Sequence, residues 1–400
     1  MRIIFLVRWP ITPREVQKFS FEYLRSQGYE ILVFDLSKLL NRQALLSHIS
    51  PDVVRGEYIT IFESYSELKK KVREHSARTF FVDYLVGLSD LDMRVERVFR
   101  ILRKYGAKYI IISAGALPIL SWPSTIGNRI KMLIKKNSSP KKVFHYLIRK
   151  FILWCTRHRF LYPLPYKIFS TDSEILTRFI TQRNISRSSV IPIHSLDYDA
   201  YLRYQNNGSL SVTKDRQKIC VFLDEAAAQH RDSSLLKIKT IDEKKYLEEM
   251  SQMFDLVEIK TGLKVVIASH PYSNYENYSL AFGGREIIKG KTVELVAASS
   301  MVIMHATTSV SYAVLFDKPI MVVKTAEMIK KGFSDYVDMM AAALGLKAIN
   351  ISDPRWSEHI SFRYDTWPRS RYEDYQFKYV KSPHLGEKGV WEVFADRVTS

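Results

Sequence analysis

The stretch MVIMHATTSVSYAVLFDKPIMVV, residues 301–323, contains a strand, a helix and a second strand in direct succession. Met301 to Met304 and Ile320 to Val323 are short apolar runs, and a hydroxyl-rich turn after the first run precedes a helical pattern. Apolar strands separated by helices are typical of parallel sheets that are covered on both faces. The stretch therefore predicts a doubly wound α/β domain, a fold that binds ligands beyond the carboxyl ends of its strands.

The same alternation extends through both halves of the chain. In the first half, strands are predicted at Arg2 to Val7, Glu30 to Asp35, Tyr58 to Phe62, Thr79 to Tyr84, Tyr109 to Ser113, Tyr166 to Ser170 and Val190 to Ile193. In the second half, strands at Ile219 to Leu223 and Lys264 to Ser269 flank a helix predicted at Ile241 to Lys260. The pattern predicts two Rossmann-like, doubly wound domains that face a cleft.

Chain length agrees with two domains, because single cores stop growing at roughly 250 to 300 residues and this chain has 400. We predict an N-terminal domain over residues 1–195 and a C-terminal domain over 218–370. A linker is predicted over 196–217, where polar residues and Asn206-Asn207-Gly208 interrupt the pattern. Residues 371–400 are predicted to form helices that pack back toward the N-terminal domain.

The net charge of +18 is concentrated in one segment. Between Arg97 and Thr171 there are 16 Lys or Arg and no Asp or Glu, whereas the rest of the chain has 44 basic and 42 acidic residues. Within this segment, residues 129–160 are predicted to be a basic amphipathic segment, with a helix that begins at Ser139-Pro140 and suits an anionic membrane surface. A helix that faces the core with a solvated basic back is the alternative. The residues expected to meet a membrane or an acceptor are Lys141, Lys142, Arg149, Lys150 and Trp154.

The sequence also indicates where the protein works. No run offers the ~20 consecutive apolar residues that a bilayer crossing needs, and the N-terminus MRIIFLVRWP lacks the pattern of a signal peptide. The chain has 2 cysteines, which favours a reducing compartment. We therefore expect a cytoplasmic protein that lies peripherally on the inner face of the cytoplasmic membrane.

Acids and histidines follow the first predicted strand of the C-terminal domain, and four of them are candidates for a catalytic base. These are Asp224, Glu225, His230 and Asp232. A carboxylate at the edge of a cleft is tuned toward a neutral pKa by partial burial. Capping of a turn by Asp224 and a solvated Asp232 are the structural alternative. Further candidates for the base are Asp83, Asp197 and Asp199.

A second group of polar residues is suited to holding a phosphate. Small hydroxyl residues at a strand-to-helix turn offer side-chain and backbone donors, and a histidine donates to a phosphate or a ribose hydroxyl. The predicted nucleotide-binding residues are His270, Pro271, Lys291, Thr292, Glu294, His305, Thr307, Thr308 and Ser309. A structural strand-end histidine at His270, and an N-cap at Thr308 or Ser309, are the alternatives.

With these motifs, the C-terminal half resembles the donor-binding domain of GT-B glycosyltransferases that build bacterial capsule, lipopolysaccharide and other surface glycans. Bacterial sialyltransferases and Kdo transferases carry a His-Pro motif and a Ser-Ser or Ser-Thr motif, which His270-Pro271 and Thr307-Thr308-Ser309 resemble. The resemblance covers residues 219–325. The acid-acid-Gly motif of the sialyltransferases is matched only in part, since Ala226 follows Asp224-Glu225.

The resemblance implies an inverting, metal-independent glycosyltransferase that needs no cofactor. A sugar would pass from a nucleotide-sugar donor, with a CMP-sugar favoured, to a saccharide or lipid-linked acceptor. The donor would bind the C-terminal domain and the acceptor the N-terminal domain. Two alternatives stay open. One is an enzyme of the same fold that transfers an alcohol phosphate from a CDP-alcohol, and the other is a basic nucleic-acid-binding protein without enzymatic activity. Nucleic acid is not the expected partner, because the basic segment has no RRM, KH or helix-turn-helix signature.

Overall fold

The computed structural model divides the chain into two compact units. The first comprises Met1–Ala114, Leu120–Ile193 and Val390–Ser400, and the second comprises Gly115–Ile119 and His194–Gly389. The structure describes residues 1–45, 52–88, 93–115, 117–118, 144, 148, 163–206, 218–229, 241–271, 273–275, 280–358 and 367–400. Among these residues, no helix is long and apolar enough to cross a membrane.

Each unit contains one parallel sheet. The strands of the first unit are β1 (Arg2–Val7), β2 (Glu30–Asp35), β3 (Ile59–Ile61), β4 (Thr79–Tyr84), β5 (Lys108–Ser113), β6 (Lys167–Ser170) and β7 (Val190–Pro192). Those of the second unit are β8 (Ile219–Leu223), β9 (Lys264–Ser269), β10 (Ile287–Lys289), β11 (Met301–Met304), β12 (Ile320–Lys324) and β13 (Ile349–Asn350). The predicted strands are confirmed in position, most of them to within one residue.

The strand orders identify both sheets as doubly wound. The first sheet has the order β3-β2-β1-β4-β5-β6-β7 and the second the order β10-β9-β8-β11-β12-β13. Strand order therefore reverses between β1 and β4 in the first unit and between β8 and β11 in the second. At such a switch point the loops after the two strands leave in opposite directions and open a crevice for a ligand.

Helices connect the strands in both units. They are α1 (Pro13–Lys18), α2 (Phe21–Ser26), α3 (Ser37–Leu45), α4 (Tyr65–His75), α5 (Met93–Lys104), α6 (Glu174–Arg183), α7 (Leu196–Asn206), α8 (Glu243–Thr261), α9 (Thr292–Ala298), α10 (Val310–Leu315), α11 (Ala326–Lys331), α12 (Ser334–Ala343), α13 (Arg369–Tyr375) and α14 (Val390–Arg397). A short π-helix, Gln376–Val380, continues α13.

Helix α8 shows how the sequence fixes one of these elements. It begins after Asp242, whose side chain accepts a hydrogen bond from the backbone N–H of Lys245, and ends at Gly262 in the left-handed conformation. Both features are standard helix-end chemistry. The helix buries Tyr246, Met250 and Phe254 among others, which recur at helical spacing and form one core-facing stripe. This packing places Tyr246 beneath the carboxyl end of the second sheet.

The C-terminal helix α14 belongs to the core of the first unit. Trp391 is 2% exposed, Phe394 is fully buried, and the Trp391 ring nitrogen donates to the carbonyl oxygen of Lys18 at 2.7 Å. The Phe394 ring lies 5.1 Å from that of Phe169 on β6. The core of the first unit therefore includes side chains from both ends of the chain.

Two boundaries of the units differ from the predicted domain limits. Residues 196–206 form helix α7 of the second unit rather than a linker. The helix begins where the Ser195 hydroxyl accepts from the Tyr198 N–H at 3.2 Å, and it buries Tyr198 and Leu202, so two core contacts outweigh its polar composition. Of the residues 371–400, which were predicted to form helices that pack back toward the N-terminal domain, 371–389 lie in the second unit and 390–400 in the first.

Most of the basic segment 129–160 lies outside the described residues. This holds for Lys141, Lys142, Arg149, Lys150 and Trp154. The two described positions, Phe144 and Ile148, are helical, and Phe144 is 62% exposed. A role for this segment at a membrane stays a prediction. Residues 207–217, the rest of the predicted linker, also lie outside.

Candidate functional site

The candidate site lies at the switch point of the second sheet. Asp224 and Glu225 directly follow β8, while His305 and Ala306 directly follow β11, the neighbouring strand. His270 directly follows β9, on the other side of β8. The structure therefore brings three predicted strand ends together at one edge of one sheet.

Asp224 joins two of these strand ends. It is 5% exposed, and one carboxylate oxygen, Oδ1, accepts from the Ala226 N–H at 2.9 Å and from the Tyr275 hydroxyl at 3.0 Å. The other oxygen, Oδ2, accepts from the His270 N–H at 3.2 Å. Burial raises the pKa of this carboxyl, whereas these donors lower it. With both oxygens engaged by the fold, Asp224 positions its neighbours, as the structural alternative for this residue predicts.

Glu225 has a different environment. Its side chain is half-buried, and Oε2 accepts from the Ala306 N–H at 3.2 Å. This contact crosses the switch point from β8 to β11. Burial, and to a smaller extent the negative charge of Asp224, raises the pKa of the Glu225 carboxyl to about 8. Glu225 is therefore mostly protonated at neutral pH.

The turn at His270-Pro271 is held in place by its backbone. The His270 N–H donates to Asp224, and the His270 carbonyl oxygen accepts from the Ser273 N–H at 3.0 Å and the Ser273 hydroxyl at 2.7 Å. The Lys289 ammonium at the end of β10 donates to the Ser273 carbonyl oxygen at 2.8 Å. The imidazole, half-buried, thus extends from a rigid turn at the sheet edge.

The Thr307-Thr308-Ser309 turn leads from β11 into helix α10. The Ser309 N–H donates to the Thr307 hydroxyl at 3.3 Å, and the Ser309 side chain makes no capping hydrogen bond. Thr308 is exposed, while Thr307 and Ser309 are half-buried. The hydroxyl of Thr307 keeps its proton available for a ligand, because in this contact its oxygen is the acceptor.

His305 is a core residue, so its predicted role in nucleotide binding is wrong. The ring is fully buried. Nδ1 lies 2.6 Å from the Val323 carbonyl oxygen, and Nε2 lies 3.0 Å from the Tyr246 hydroxyl. Since a carbonyl oxygen only accepts, Nδ1 carries the proton and Nε2 accepts from Tyr246. Burial lowers the pKa of His305 to about 4, which keeps the ring neutral.

Lys291, Thr292 and Glu294 lie farther from the switch point. They follow β10, the outer strand, and β9 separates β10 from β8. At ~4.8 Å per strand, the end of β10 is about 10 Å from that of β8. Lys291 and Glu294 are exposed and Thr292 is half-buried. These residues suit only a ligand that extends along the sheet edge, such as a nucleotide whose phosphate lies at the switch point.

The other candidates for a catalytic base lie in three parts of the chain. His230 and Asp232 lie outside the described residues. Asp197 accepts from the Tyr312 hydroxyl at 3.2 Å, and Asp199 is 7% exposed; both belong to helix α7. Asp83, in the first unit, accepts from the backbone N–H groups of its own loop.

Three residues that support the site were not predicted from the sequence. Tyr275 and Tyr246 donate to Asp224 and to His305, and Ser273 fixes the His270 turn. Burial raises the pKa of both tyrosines well above the usual range. Ser273, two residues after Pro271, is typical of a turn that a serine closes, which is the one local signal available. No local pattern indicates the partners of the two tyrosines.

Comparison with known proteins agrees with this architecture. No protein-family model and no curated protein matches the sequence. Among solved structures, the calicheamicin glycosyltransferase CalG4 matches with a TM-score of 0.52 at 10% identity, over 100% of this chain and 97% of CalG4. A variant of the wall teichoic acid polymerase TagF matches with a TM-score of 0.51 at 10% identity, over 100% of this chain and 88% of TagF.

A third match is MnaA of S. aureus in a structure with UDP. It has a TM-score of 0.50 at 15% identity and covers 100% of this chain and 94% of MnaA. At such low identities a structural likeness carries information about the fold alone. Together with the two doubly wound sheets, these matches identify the fold of the chain as GT-B, with two Rossmann-like domains.

Proposed function

We propose that the protein is a glycosyltransferase that takes a sugar from a nucleotide-sugar donor, with a CMP-sugar favoured. The observation that carries the proposal is the switch point of the second sheet. There Glu225, His270 and the Thr307 to Ser309 turn occupy three neighbouring strand ends, and Asp224 and Ala306 connect them by hydrogen bonds. A doubly wound sheet binds its ligand at this position.

In the proposed reaction, the donor phosphate lies against His270 and the hydroxyls of Thr307, Thr308 and Ser309. These groups stabilise the negative charge that develops on the phosphate as the bond to the sugar breaks. A carboxylate or a neutral histidine takes the proton of the acceptor hydroxyl as that hydroxyl attacks the anomeric carbon. Side-chain donors replace a divalent cation in this scheme, and a single displacement inverts the anomeric centre.

The acceptor in this proposal is a saccharide or a lipid-linked saccharide of a bacterial surface glycan. The residues that support this part are the His-Pro and hydroxyl motifs, which resemble those of sialyltransferases and Kdo transferases, and the basic segment 129–160. The proposed location is cytoplasmic, which the low cysteine count supports, on the inner face of the membrane, which the same basic segment supports.

A panel of nucleotides tests the proposal. Thermal unfolding is measured with CMP, CMP-sugars, UDP, GDP, ADP and CDP-glycerol. A ligand at 100 times its Kd adds about 2.7 kcal/mol to the free energy of unfolding, and we expect the largest stabilisation from CMP or its sugars. Equal or larger stabilisation by UDP or GDP contradicts the choice of donor.

Two variants connect the panel to the site. His270→Ala and the double change Thr307→Ala/Thr308→Ala should each weaken binding roughly ten- to a hundred-fold, since a hydrogen bond to a charged group contributes about 1.5 to 3 kcal/mol. Ser352→Ala, on an exposed turn, is the matched control. If His270→Ala instead lowers the melting temperature and leaves binding intact, His270 is a structural residue.

The same panel, together with a separate measurement of RNA and DNA binding, distinguishes the proposal from the two alternatives. Preference for CDP-glycerol over CMP-sugars would favour transfer of an alcohol phosphate. A nanomolar, steeply salt-dependent affinity for RNA or DNA, without a response to any nucleotide, would favour the nucleic-acid-binding alternative.

A further inference from the structure

Of the two acids at the switch point, Glu225 accepts fewer hydrogen bonds from the rest of the fold. Its Oε2 accepts one hydrogen bond, from the Ala306 N–H at 3.2 Å. Asp224, one residue earlier, accepts three from Ala226, His270 and Tyr275. Within the described residues, no Lys or Arg forms an ion pair with Glu225. Its second oxygen is therefore not committed to a structural contact.

The position of this carboxyl determines what it can meet. Ala306 immediately precedes Thr307, so the bond from Glu225 to the Ala306 N–H holds the carboxyl beside the hydroxyl turn. Asp224, the preceding residue in the chain, in turn holds the His270 turn. A phosphate bound by Thr307 and His270 would lie within reach of Glu225.

A phosphate offers only acceptors, so the protonation of Glu225 decides whether the contact is favourable. An ionised carboxylate beside a phosphate would be repelled, whereas a protonated carboxyl supplies one O–H donor. The half-buried position and the neighbouring charge of Asp224 both favour the neutral form, and the pKa of about 8 agrees with them.

We propose that Glu225 binds the donor in its protonated form and donates its O–H to a phosphate oxygen. This inference rests on the proposed function, since it needs a nucleotide at the switch point. It assigns Glu225 to donor recognition and removes it from the candidates for the catalytic base. Deprotonation of Glu225 then competes with binding, so affinity falls as pH rises.

The other titratable groups around Glu225 do not produce the same behaviour. Tyr246 from α8 and Tyr275 from the segment after β9 have pKa values raised by burial, so they stay protonated through pH 9. His305 after β11 stays neutral. Burial raises the pKa of Asp224 as well, its hydrogen bonds from Ala226, His270 and Tyr275 offset part of this rise, and both of its oxygens contact the fold rather than a ligand. His270 is the remaining group, and the His270→Ala variant separates its effect from that of Glu225.

The test is the affinity for CMP, measured by calorimetry from pH 7.0 to pH 9.0, where the phosphate is already ionised because its second pKa is about 6. If only protonated Glu225 binds, the wild-type affinity falls about tenfold between these limits, as expected for a group with a pKa near 8. Binding at pH 8.5 should also take up about 0.8 proton, as expected for a group with a pKa near 8, and this uptake appears as a dependence on the ionisation enthalpy of the buffer.

Two variants at position 225 give opposite results. Glu225→Gln has an amide that donates at every pH, so it should keep the affinity at pH 7.0 within about threefold, lose the pH dependence and take up no proton. Glu225→Ala should bind roughly ten- to a hundred-fold more weakly at pH 7.0. His270→Ala should keep the pH dependence. Unfolding without ligand checks that each variant is folded.

The outcomes separate the two claims. A wild-type affinity that is constant from pH 7.0 to 9.0 overturns the role of Glu225 and leaves the proposed function standing. Loss of binding in Glu225→Gln equal to that in Glu225→Ala also overturns it, because an ionised acceptor would then be required. If no nucleotide in the panel binds at any pH, both claims fall.

Discussion

Asp83 in the first unit and Asp224 in the second occupy comparable places, at the carboxyl ends of strands that border a switch point, but they bond to different parts of the chain. Asp83 accepts from the N–H groups of Leu85, Val86 and Gly87, all within four residues. Two donors to Asp224 come from His270 and Tyr275, 46 and 51 residues away. Asp83 closes its own loop, whereas Asp224 joins two segments that fold together.

This difference leaves a second acid, Glu225, available to a ligand in the second unit. Because Asp224 satisfies the long-range donors, Glu225 needs only one contact and keeps a carboxyl oxygen for a ligand. In the first unit, Asp83 is 1% exposed, and its loop uses both oxygens. In this protein, an acid at a strand end can bind a ligand only where another residue accepts the structural hydrogen bonds, as Asp224 does beside Glu225.

Asp224→Ala should have the largest effect on stability. It leaves two backbone N–H groups and a tyrosine hydroxyl without their partner at a buried site, and breaking such a network costs about 3 to 5 kcal/mol. Urea unfolding measures this loss. Tyr275→Phe, which removes one of the three bonds, should cost about 1 kcal/mol. If Asp224→Ala costs less than about 1 kcal/mol, Asp224 does not carry the structural bonds that distinguish it from Glu225.

Asp83→Ala should cost less, about 2 to 4 kcal/mol, because its three donors belong to one short loop that can turn toward water. Asp172→Ala is the matched control in the same unit: Asp172 forms an exposed ion pair with Arg187, and such pairs contribute roughly 0 to 1 kcal/mol. CMP binding by folded Asp83→Ala should be unchanged. Reduced binding would indicate that Asp83 also acts on the donor.

Asp83 also predicts a pH dependence of stability. Burial raises its pKa from 3.8 to about 6, so the folded state holds the proton more tightly than the unfolded state. The contribution of Asp83 to the free energy of unfolding is fully present below about pH 4 and is lost as the pH rises from about 4 to about 6. The loss should be weaker in Asp83→Ala, and an identical profile in the variant would contradict the buried environment of Asp83.

The smallest effect is expected for Thr171→Val in the first unit. The Thr171 hydroxyl follows β6, is buried, and has no hydrogen-bond partner in the described part of the chain. Valine has nearly the same shape without the unsatisfied oxygen, so stability should change by less than about 1 kcal/mol, toward stabilisation. A loss of 2 kcal/mol or more in thermal unfolding would show that the hydroxyl has a partner.

The strands were largely predictable because apolar runs of four to six residues carry the signal locally. The predictions for β1, β2, β4, β8 and β9 are correct at both ends. The edge strands gave a mixed result. In the second sheet, β10 and β13 were not predicted. In the first sheet, the similarly short edge strands β3 and β7 were predicted.

The candidate site was predictable in outline and not in its roles. The sequence places Asp224, Glu225, His270 and His305 after strands, and all four are there. Their different roles depend on Tyr275, Ala306, Val323 and Tyr246, which are 18 to 81 residues away from the residue each contacts. No spacing along the chain encodes such a contact. The same is true of α7, where burial of Tyr198 and Leu202 outweighs a polar composition.

The place of α14 in the first unit has a consequence for biosynthesis. As the chain leaves the ribosome, β1 to β7 emerge early, but Trp391 and Phe394, which complete their core, emerge only after the whole second unit. Until Trp391 and Phe394 have emerged, Phe5 and Phe169 lack the aromatic rings that cover them. The first unit therefore completes its core only after the second unit has been synthesised.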